Sequence, residues 1–307
     1  MAPPLSSLYT LSFAIAVLVT LLVAATLRLL AILPNTRPKT QPWRKPPLAT
    51  RVLVVLGSGG HTHEMFHLIR DLDPAKYTHR TYVVSSGDAF SAQRAVEFER
   101  GMEEREKNKA GANSNTNIPS SSTVDVKVTD PNGTTRTRPR SSTTGARSRA
   151  NSIREPRKPF LGPDHYNIAV VPRARKIHQP LLTTPLSCLY TLYACFSPLL
   201  RAPPFQPNKQ PSTSYEAAAA DVPDLILTNG PATAVILILA SLILRFFDVK
   251  GANSRGKCKT VYVESFARVK TLSLSGKILL RVVDRFLVQW EELEGAGGRA
   301  EFWGVLV

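Results

Sequence analysis

RVLVVLGSGGHTHEMFHLI, residues 51–69, is the stretch that decides the fold of this chain. Its apolar run, Val52 to Leu56, ends abruptly in Gly57-Ser58-Gly59-Gly60, and a helix-compatible segment begins near His61 or Thr62. A β-branched apolar run stopped by glycine predicts a strand that is buried on both faces. Glycines at a strand-to-helix turn let backbone N–H groups approach a ligand, and the helix N-terminus adds a positive dipole end. The stretch therefore predicts a site for phosphate or a similar anion.

The same pattern of an apolar strand followed by a turn and a helix recurs along the chain. Continuous apolar strands that alternate with helices are typical of a parallel α/β sheet. We therefore predict a Rossmann-like domain over residues 51–307. Its further predicted strands are residues 77–85, 166–171, 224–228, 260–264, 285–290 and 301–307.

Small polar residues and glycines follow several of these predicted strands. Ligands on parallel sheets bind outside the carboxyl ends of the strands, so we expect these residues to converge on one cleft. The predicted cleft-lining residues are Ser85, Ser86, Asp88, Asn229, Gly230 and Glu264.

The N-terminal segment predicts a single-pass membrane anchor over residues 1–33. No charged residue occurs from Leu5 to Leu27, and about 20 apolar residues suffice to cross a bilayer as a helix. We predict that Leu8 to Leu30 spans the membrane. The basic residues that follow, in a proline-rich spacer over residues 34–50, predict that the folded domain faces the cytosol.

Two segments interrupt the predicted domain. Residues of about 106–158 and 201–220 are rich in small polar, basic, proline or alanine residues, so we predict disordered insertions there. Between them, Leu181 to Leu200 is uncharged and predicts a helix broken by Pro185 and Pro198. That helix either lies in the core or lies in the membrane surface beside the anchor.

The composition excludes some classes of protein. The chain carries 39 Lys and Arg against 23 Asp and Glu, a net charge of +16, which suits anionic ligands or lipid. These basic residues lie mainly in the spacer and the first insertion, without interleaved aromatic residues, so we predict no nucleic-acid partner. The three cysteines show neither metal spacing nor an even count, which favours a reducing compartment.

Three ligand motifs are incomplete or misplaced. A dinucleotide fingerprint needs glycine where Thr62 stands, and no Gly-Lys-Ser/Thr follows Gly57 as a Walker loop requires. His63 to His67 matches H-E-x-x-H, but the motif lies at a helix start and lacks a third ligand at the expected spacing. We predict no cofactor and no metal, with a zinc hydrolase as an alternative.

Seven segments, which together span nearly all of the predicted ordered chain, carry a family resemblance. They are VLGSGGHTHEM, YVVSSGD, VPRARKIHQ, PDLILTNGPAT, VYVESFARV, RFLVQW and the terminal FWGVLV. With these segments, the chain is similar to the membrane-anchoring subunits of the UDP-N-acetylglucosamine transferase that adds the second GlcNAc to dolichol-diphosphate-GlcNAc. The two insertions depart from the family pattern.

The resemblance implies a GT-B glycosyltransferase divided between two chains. This chain would form the acceptor-side half, a non-catalytic or acceptor-binding subunit. A soluble catalytic subunit would hold most of the UDP-GlcNAc. The complex would act in N-glycan assembly at the cytosolic face of the endoplasmic reticulum, with the nuclear envelope as a further location. A pure membrane adaptor without an active-site role is the alternative.

The resemblance also implies roles for individual residues. Gly57, the backbone N–H groups of Ser58, Gly59 and Gly60, and Thr62 would hold the acceptor diphosphate at the helix N-terminus. His61 or Glu64 would be the general base, since either accepts a proton when suitably positioned. The apolar chain end would dock the catalytic subunit. Its interface residues would be Phe302, Trp303, Val305, Leu306 and Val307.

Overall fold

The computed structural model describes residues 5–34, 49–115, 159–175, 179–180, 182–201, 213–230 and 232–307. Most of the predicted spacer and of the two predicted insertions lies outside the described residues. The described chain forms one seven-stranded sheet in the order β3-β2-β1-β4-β5-β6-β7, in which every pair of neighbouring strands is parallel. The predicted Rossmann-like α/β fold is confirmed.

The elements follow the predicted alternation of strands and helices. The strands are β1 (Arg51–Val55), β2 (His79–Ser85), β3 (Tyr166–Val171), β4 (Leu225–Asn229), β5 (Lys259–Val263), β6 (Arg285–Val288) and β7 (Ala300–Phe302). The α-helices are α1 (Leu5–Ile32), α2 (Gly60–Leu68), α3 (Ala89–Asn115), α4 (Thr184–Leu200), α5 (Ser214–Ala220), α6 (Ala232–Phe246) and α7 (Leu274–Leu279).

Helices cover both faces of the sheet because successive side chains of a strand point to opposite faces. On β1, Leu53 and Val55 belong to a buried cluster with residues of α4 and α6. Val52 and Val54 belong to a second cluster, with Met65 of α2 and residues of α3. Both faces of β1 are therefore core, as its unbroken apolar run predicts.

Helix α1 is the one helix among the described residues that is long and apolar enough to cross a membrane, judged by length and composition. Its C-terminal end is anchored on the α/β domain. Ile32 is fully buried, and Arg28 donates from Nε to the carbonyl of Phe246 at 3.1 Å, at the end of α6. In return, Arg245 Nη2 of α6 donates to the carbonyl of Ile32 at 3.1 Å. The C-terminal carbonyls of each helix thus accept a hydrogen bond from an arginine of the other helix.

Helix α4 is continuous, which corrects the predicted breaks at Pro185 and Pro198. Pro185 stands in the first turn, where a missing N–H costs nothing, and Pro198 stands in the last turn. Arg51 donates to carbonyls of that last turn, including that of Leu199 at 3.4 Å. Cys195 and Leu199 are buried in the core, whereas Tyr193 is 78% exposed. One face of α4 is therefore core, and whether its other face meets lipid stays a prediction.

The structure differs from the sequence predictions at three element boundaries. Helix α3 continues to Asn115, past the predicted start of the first insertion. Residues Ser214–Ala220 form helix α5, because the Thr213 hydroxyl caps the N–H of Glu216 and alanine favours the helix. The terminal strand is only Ala300–Phe302, since it pairs with the short β6.

Candidate active site at the sheet switch point

The candidate site lies where strands β1 and β4 adjoin. The chain adds β2 and β3 on one side of β1 and then crosses to place β4 on its other side. Connections leave the carboxyl ends of β1 and β4 on opposite faces of the sheet, so a crevice opens between them. The glycine loop follows β1 at this crevice, and Asn229 and Gly230 stand at the end of β4.

The glycine loop exposes the beginning of helix α2. Gly59 is the N-cap with φ +62°, a left-handed conformation that favours glycine, and Ser58, Gly59 and Gly60 are exposed. The N–H groups of Thr62 and His63 turn back to the Gly59 carbonyl, at 3.2 and 3.4 Å. Space is open beside this end of the helix, because a Cβ added at Gly59 or Gly60 would meet nothing within 4 Å.

Thr62 takes a different role from the predicted one. Its side chain is buried and donates to the carbonyl of Gly57, with the Ser91 hydroxyl 2.6 Å away. Ser91 in turn is held by Asp88, whose Oδ2 lies 2.7 Å from the serine hydroxyl. The glycine loop is thus supported from inside the fold by hydrogen bonds of Thr62, Ser91 and Asp88. The Thr62 hydroxyl is used inside the fold rather than offered to a ligand.

A second polar network lies on the cleft side of α2. His61 Nδ1 lies 3.2 Å from Asn229 Oδ1, and Asn229 Nδ2 donates to Glu64 Oε2 at 2.7 Å. The Ser265 hydroxyl, directly after β5, donates to Glu64 Oε1 at 2.9 Å. Residues far apart in sequence are therefore brought together at the carboxyl ends of β1, β4 and β5.

This network shifts the two titratable groups in opposite directions. The neighbouring Glu64 carboxylate, whose Oε2 lies 3.7 Å from Nδ1, raises the pKa of His61 above the ordinary value, against the effect of burial. For Glu64, burial acts to raise the pKa, but the neighbouring His61 and the hydrogen bonds from Asn229 and Ser265 outweigh it and lower the pKa. An ionised Glu64 beside a strengthened base is the arrangement that acid–base chemistry needs.

Gly230 makes room for the His61 ring. Its φ of +90° is disfavoured for other residues, and a Cβ there would lie 2.8 Å from His61 Cγ. The imidazole therefore packs directly on the peptide backbone after β4. Glycine at this position follows from the close approach as well as from the backbone conformation.

The remaining predicted cleft residues divide into two groups. Ser85 lies 3.2 Å from the Thr233 hydroxyl at the start of α6, and the Ser86 carbonyl accepts from Arg173 Nε at 3.0 Å. Glu264 is 1% exposed and accepts from the Ser273 N–H and hydroxyl at 3.1 Å, so its carboxylate supports α7 instead of lining the cleft. Sequence reasoning missed Ser265, although a polar residue directly after a strand was the signal used elsewhere.

The H-E-x-x-H residues point in different directions. His63 and His67 are exposed with ring centroids 5.9 Å apart, while Glu64 is turned toward Asn229 and Ser265. Among the residues that the structure describes, no group of three His, Cys, Asp or Glu side chains is placed to hold a metal ion. The two histidines therefore do not share a site with the glutamate between them.

The predicted interface residues at the chain end are only partly exposed. Phe302 belongs to β7 and packs on the core beside Phe286 and Val288. Trp303 and Val305 are 57% and 56% exposed, and the Arg285 guanidinium lies 4.4 Å from the Trp303 ring centroid. Leu306 and Val307 are half-buried. Phe302 thus serves the fold, and the exposed apolar surface begins at Trp303.

Fold and site together define a Rossmann-like α/β protein with an N-terminal apolar helix, a glycine-rich strand–turn–helix and a histidine–carboxylate pair at its switch point. Residues 52–130 and 134–306 match the family described as "Oligosaccharide biosynthesis protein Alg14 like". The chain belongs to the Alg14 family.

Named relatives agree with this assignment. "UDP-N-acetylglucosamine transferase subunit alg14" of Aspergillus fumigatus is 38% identical over 260 residues, which cover 75% of this chain and 92% of the relative. The subunit of the same name from Schizosaccharomyces pombe is 33% identical, with 86% of each chain covered. The Mus musculus subunit is 29% identical, with 85% of each chain covered. No solved structure matches the chain.

Proposed function

We propose that this chain anchors and completes a two-chain UDP-GlcNAc transferase at the cytosolic face of the endoplasmic reticulum membrane. The complex adds the second GlcNAc to dolichol-diphosphate-GlcNAc. The names of the relatives support a transferase subunit, and α1 is long and apolar enough to hold such a subunit at a membrane. A lipid-linked acceptor gives a reason for a membrane helix and a candidate phosphate site in one chain.

The observation that carries this proposal is the exposed start of α2 beside His61. The first turn of α2 borders open space at Gly60, where an added Cβ would meet nothing within 4 Å, and the helix dipole favours an anion there. The acceptor diphosphate is held there by backbone groups of Gly57 to Gly60. The hydroxyl of the acceptor sugar then lies near His61 and Glu64, one of which takes its proton.

The other half of the active site belongs to the partner. In this proposal the chain is the acceptor half of a divided GT-B enzyme, and the soluble catalytic subunit holds most of UDP-GlcNAc. The names of the relatives support this division, because each is called a subunit of the transferase.

Gly60→Leu is the substitution that tests the acceptor site. A Cβ at position 60 would meet nothing within 4 Å, so we expect the fold to be retained while the added side chain blocks the diphosphate. We expect transfer to fall at least about 100-fold, because misplacing a reacting group by an ångström has that effect. The measurement is GlcNAc transfer to a dolichol-linked acceptor by the chain co-expressed with its soluble partner.

Gly101→Leu is the matched control, since Gly101 lies in α3 and an added Cβ there also meets nothing within 4 Å. The control should transfer at the wild-type rate. Full activity of Gly60→Leu, with the partner still bound, would instead identify the chain as a pure membrane adaptor.

The chain end supplies a separate test of partner docking. Truncation after Phe302 keeps β7 and its core contacts but removes the exposed Trp303 and Val305. We expect the soluble subunit to move from the membrane fraction to the supernatant, while the truncated chain stays with the membrane. If the partner still co-sediments, the tail is not the docking surface.

A further inference from the structure

The hydrogen-bond directions around His61 follow from the chemistry of its neighbours. An ionised carboxylate only accepts, so the Asn229 amide must turn its NH₂ group toward Glu64, at 2.7 Å. The carbonyl oxygen of the same amide then faces His61 Nδ1 at 3.2 Å. A carbonyl oxygen cannot donate, so the proton between the two groups belongs to the histidine.

The opposite ring nitrogen is left with the lone pair. With Nδ1 protonated, the neutral imidazole carries its acceptor at Nε2. Within the described part of the chain, Nε2 has no hydrogen-bond partner, and the His61 side chain is 33% exposed. The ring rests on Gly230, where even a Cβ would come within 2.8 Å of Cγ, so this contact and the Nδ1 hydrogen bond together hold its plane.

We propose that Asn229 fixes His61 as the Nδ1–H tautomer and so makes Nε2 the base nitrogen of the transfer reaction, with Glu64 and Ser265 as positioning residues. This inference rests on the proposed function, and it decides between the two candidate bases that the sequence left open. Both carboxylate oxygens of Glu64 already accept hydrogen bonds, one from Asn229 and one from Ser265. Glu64 is therefore not the proton acceptor in this proposal.

The step that follows is balanced in atoms and charge. The acceptor oxygen forms a bond to the anomeric carbon of GlcNAc as the bond from that carbon to UDP breaks, and UDP leaves with the electron pair. The proton of the acceptor hydroxyl moves to His61 Nε2. The resulting imidazolium keeps its Nδ1–H on Asn229 and is stabilised by the charge of Glu64, whose Oε2 lies 3.7 Å from Nδ1. Glu264 adds a smaller favourable charge effect from the end of β5.

The tautomer is measured directly by NMR. The full chain in lipid nanodiscs with its partner is labelled with ¹⁵N-histidine, and the His61 signals are assigned by their loss in His61→Asn. Above the His61 pKa, we expect the proton on Nδ1 and the unprotonated chemical shift on Nε2. A proton on Nε2 would overturn the inference, whatever the activity of the complex.

The pH profile of Glu64→Gln separates a positioning role from a catalytic one. Glutamine still accepts from Asn229 but carries no charge, so the His61 pKa falls and the acidic limb of kcat/KM moves to lower pH. His61→Asn should lower kcat about 10²- to 10⁴-fold at every pH. If Glu64→Gln is folded and partner-bound but equally inactive at every pH, Glu64 is the base and the inference fails.

Ser265→Ala tests the far end of the network. We expect a roughly tenfold loss in kcat with KM little changed, because one hydrogen bond to a charged group is removed. Ser254→Ala, in the loop before β5, is the control and should be unchanged. An unchanged kcat in Ser265→Ala would remove Ser265 from the positioning set. Failure of the proposed function gives a distinct result, in which Gly60→Leu and His61→Asn both transfer normally.

Discussion

The two edges of the sheet use charged residues in different ways. At the amino ends of the strands, three arginines are buried in the fold: Arg51, Arg80 and Arg245 are each at most 2% exposed. At the carboxyl ends, the titratable side chains of His61 and Glu64 are partly exposed, at 33% and 15%. The buried arginines at the first edge stabilise the fold, whereas we propose that His61 and Glu64 at the second edge serve a ligand.

Arg51 shows how a buried charge at the amino edge is stabilised within the fold. Its guanidinium donates to the carbonyls of Leu199 and Arg201 at the end of α4, at 3.4 and 3.2 Å. Burial lowers its pKa to about 10, partly offset by nearby Asp221 and Asp224. The positive charge therefore complements the C-terminal end of a helix dipole rather than an external anion.

The largest predicted loss of stability follows from breaking the buried ion pair of Arg80 and Glu99 at the amino edge. Arg80 donates to both oxygens of Glu99 at 2.6 and 2.8 Å, and Tyr82 donates to the same carboxylate at 2.7 Å. Arg80→Ala leaves an uncompensated buried carboxylate, which should cost about 3–5 kcal/mol in the free energy of unfolding. Pulse proteolysis of the full chain in detergent measures this loss.

The control for that variant is an exposed ion pair on α3, the helix that carries Glu99. Arg94 lies 3.2 Å from Glu97 with both side chains about half exposed, so Arg94→Ala should cost less than about 1 kcal/mol. Equal losses in the two variants would contradict the contrast between buried and exposed charge.

Much of the fold was predictable from local pattern, and the reasons lie in particular residues. The apolar run Val52 to Leu56 is enough to predict a buried strand, and the glycines after it are enough to predict a turn. The positions of β1 and the loop were therefore predicted correctly. Arg51 and Arg80 gave no such signal, because a buried arginine depends on partners such as Leu199 and Glu99 that lie far away in sequence.

The site was predictable in position but not in detail. Parallel strands bring their carboxyl ends to one edge, so His61 and Asn229 were expected in one cleft although 168 residues separate them. Which way a side chain turns is decided by packing. The Thr62 hydroxyl points inward, where it donates to the Gly57 carbonyl. The Glu264 carboxylate lies beneath α7, where it accepts from the Ser273 N–H.

Two histidines sharpen the comparison of the edges, because their pKa values shift in opposite directions. His79, at the amino end of β2, is 3% exposed, and burial with nearby Arg51 lowers its pKa to about 4. Protonation then favours the unfolded state, whose histidine titrates at the ordinary value of 6.5. The stability from neutral His79 is present above pH 6.5 and is lost as the pH falls toward 4.

At pH 5 this loss should be about 2 kcal/mol relative to pH 8. His79→Gln should flatten the acid side of the stability curve, as followed by urea unfolding at several pH values. His61 has the opposite sign, since its raised pKa adds stability below pH 6.5 that is lost as the pH rises through the folded pKa. A His79→Gln curve that still falls as steeply would assign the acid loss to other groups.

The smallest predicted effect concerns the junction of α1 with the amino edge. Arg245 is held by Asp284 at 3.0 Å and caps Ile32, while Arg28 caps Phe246 at the end of α6. Arg28→Ala removes one of these two caps and should weaken docking of α1 by about 1–2 kcal/mol. Spin labels at the ends of α1 and α6 should then report a broader distance distribution, whereas Thr26→Val, whose hydroxyl bonds only to Leu22 of its own helix, should not. Because the junction lies at the edge opposite the cleft, Arg28→Ala should leave the His61 tautomer unchanged, and a changed tautomer would show that the two edges are coupled.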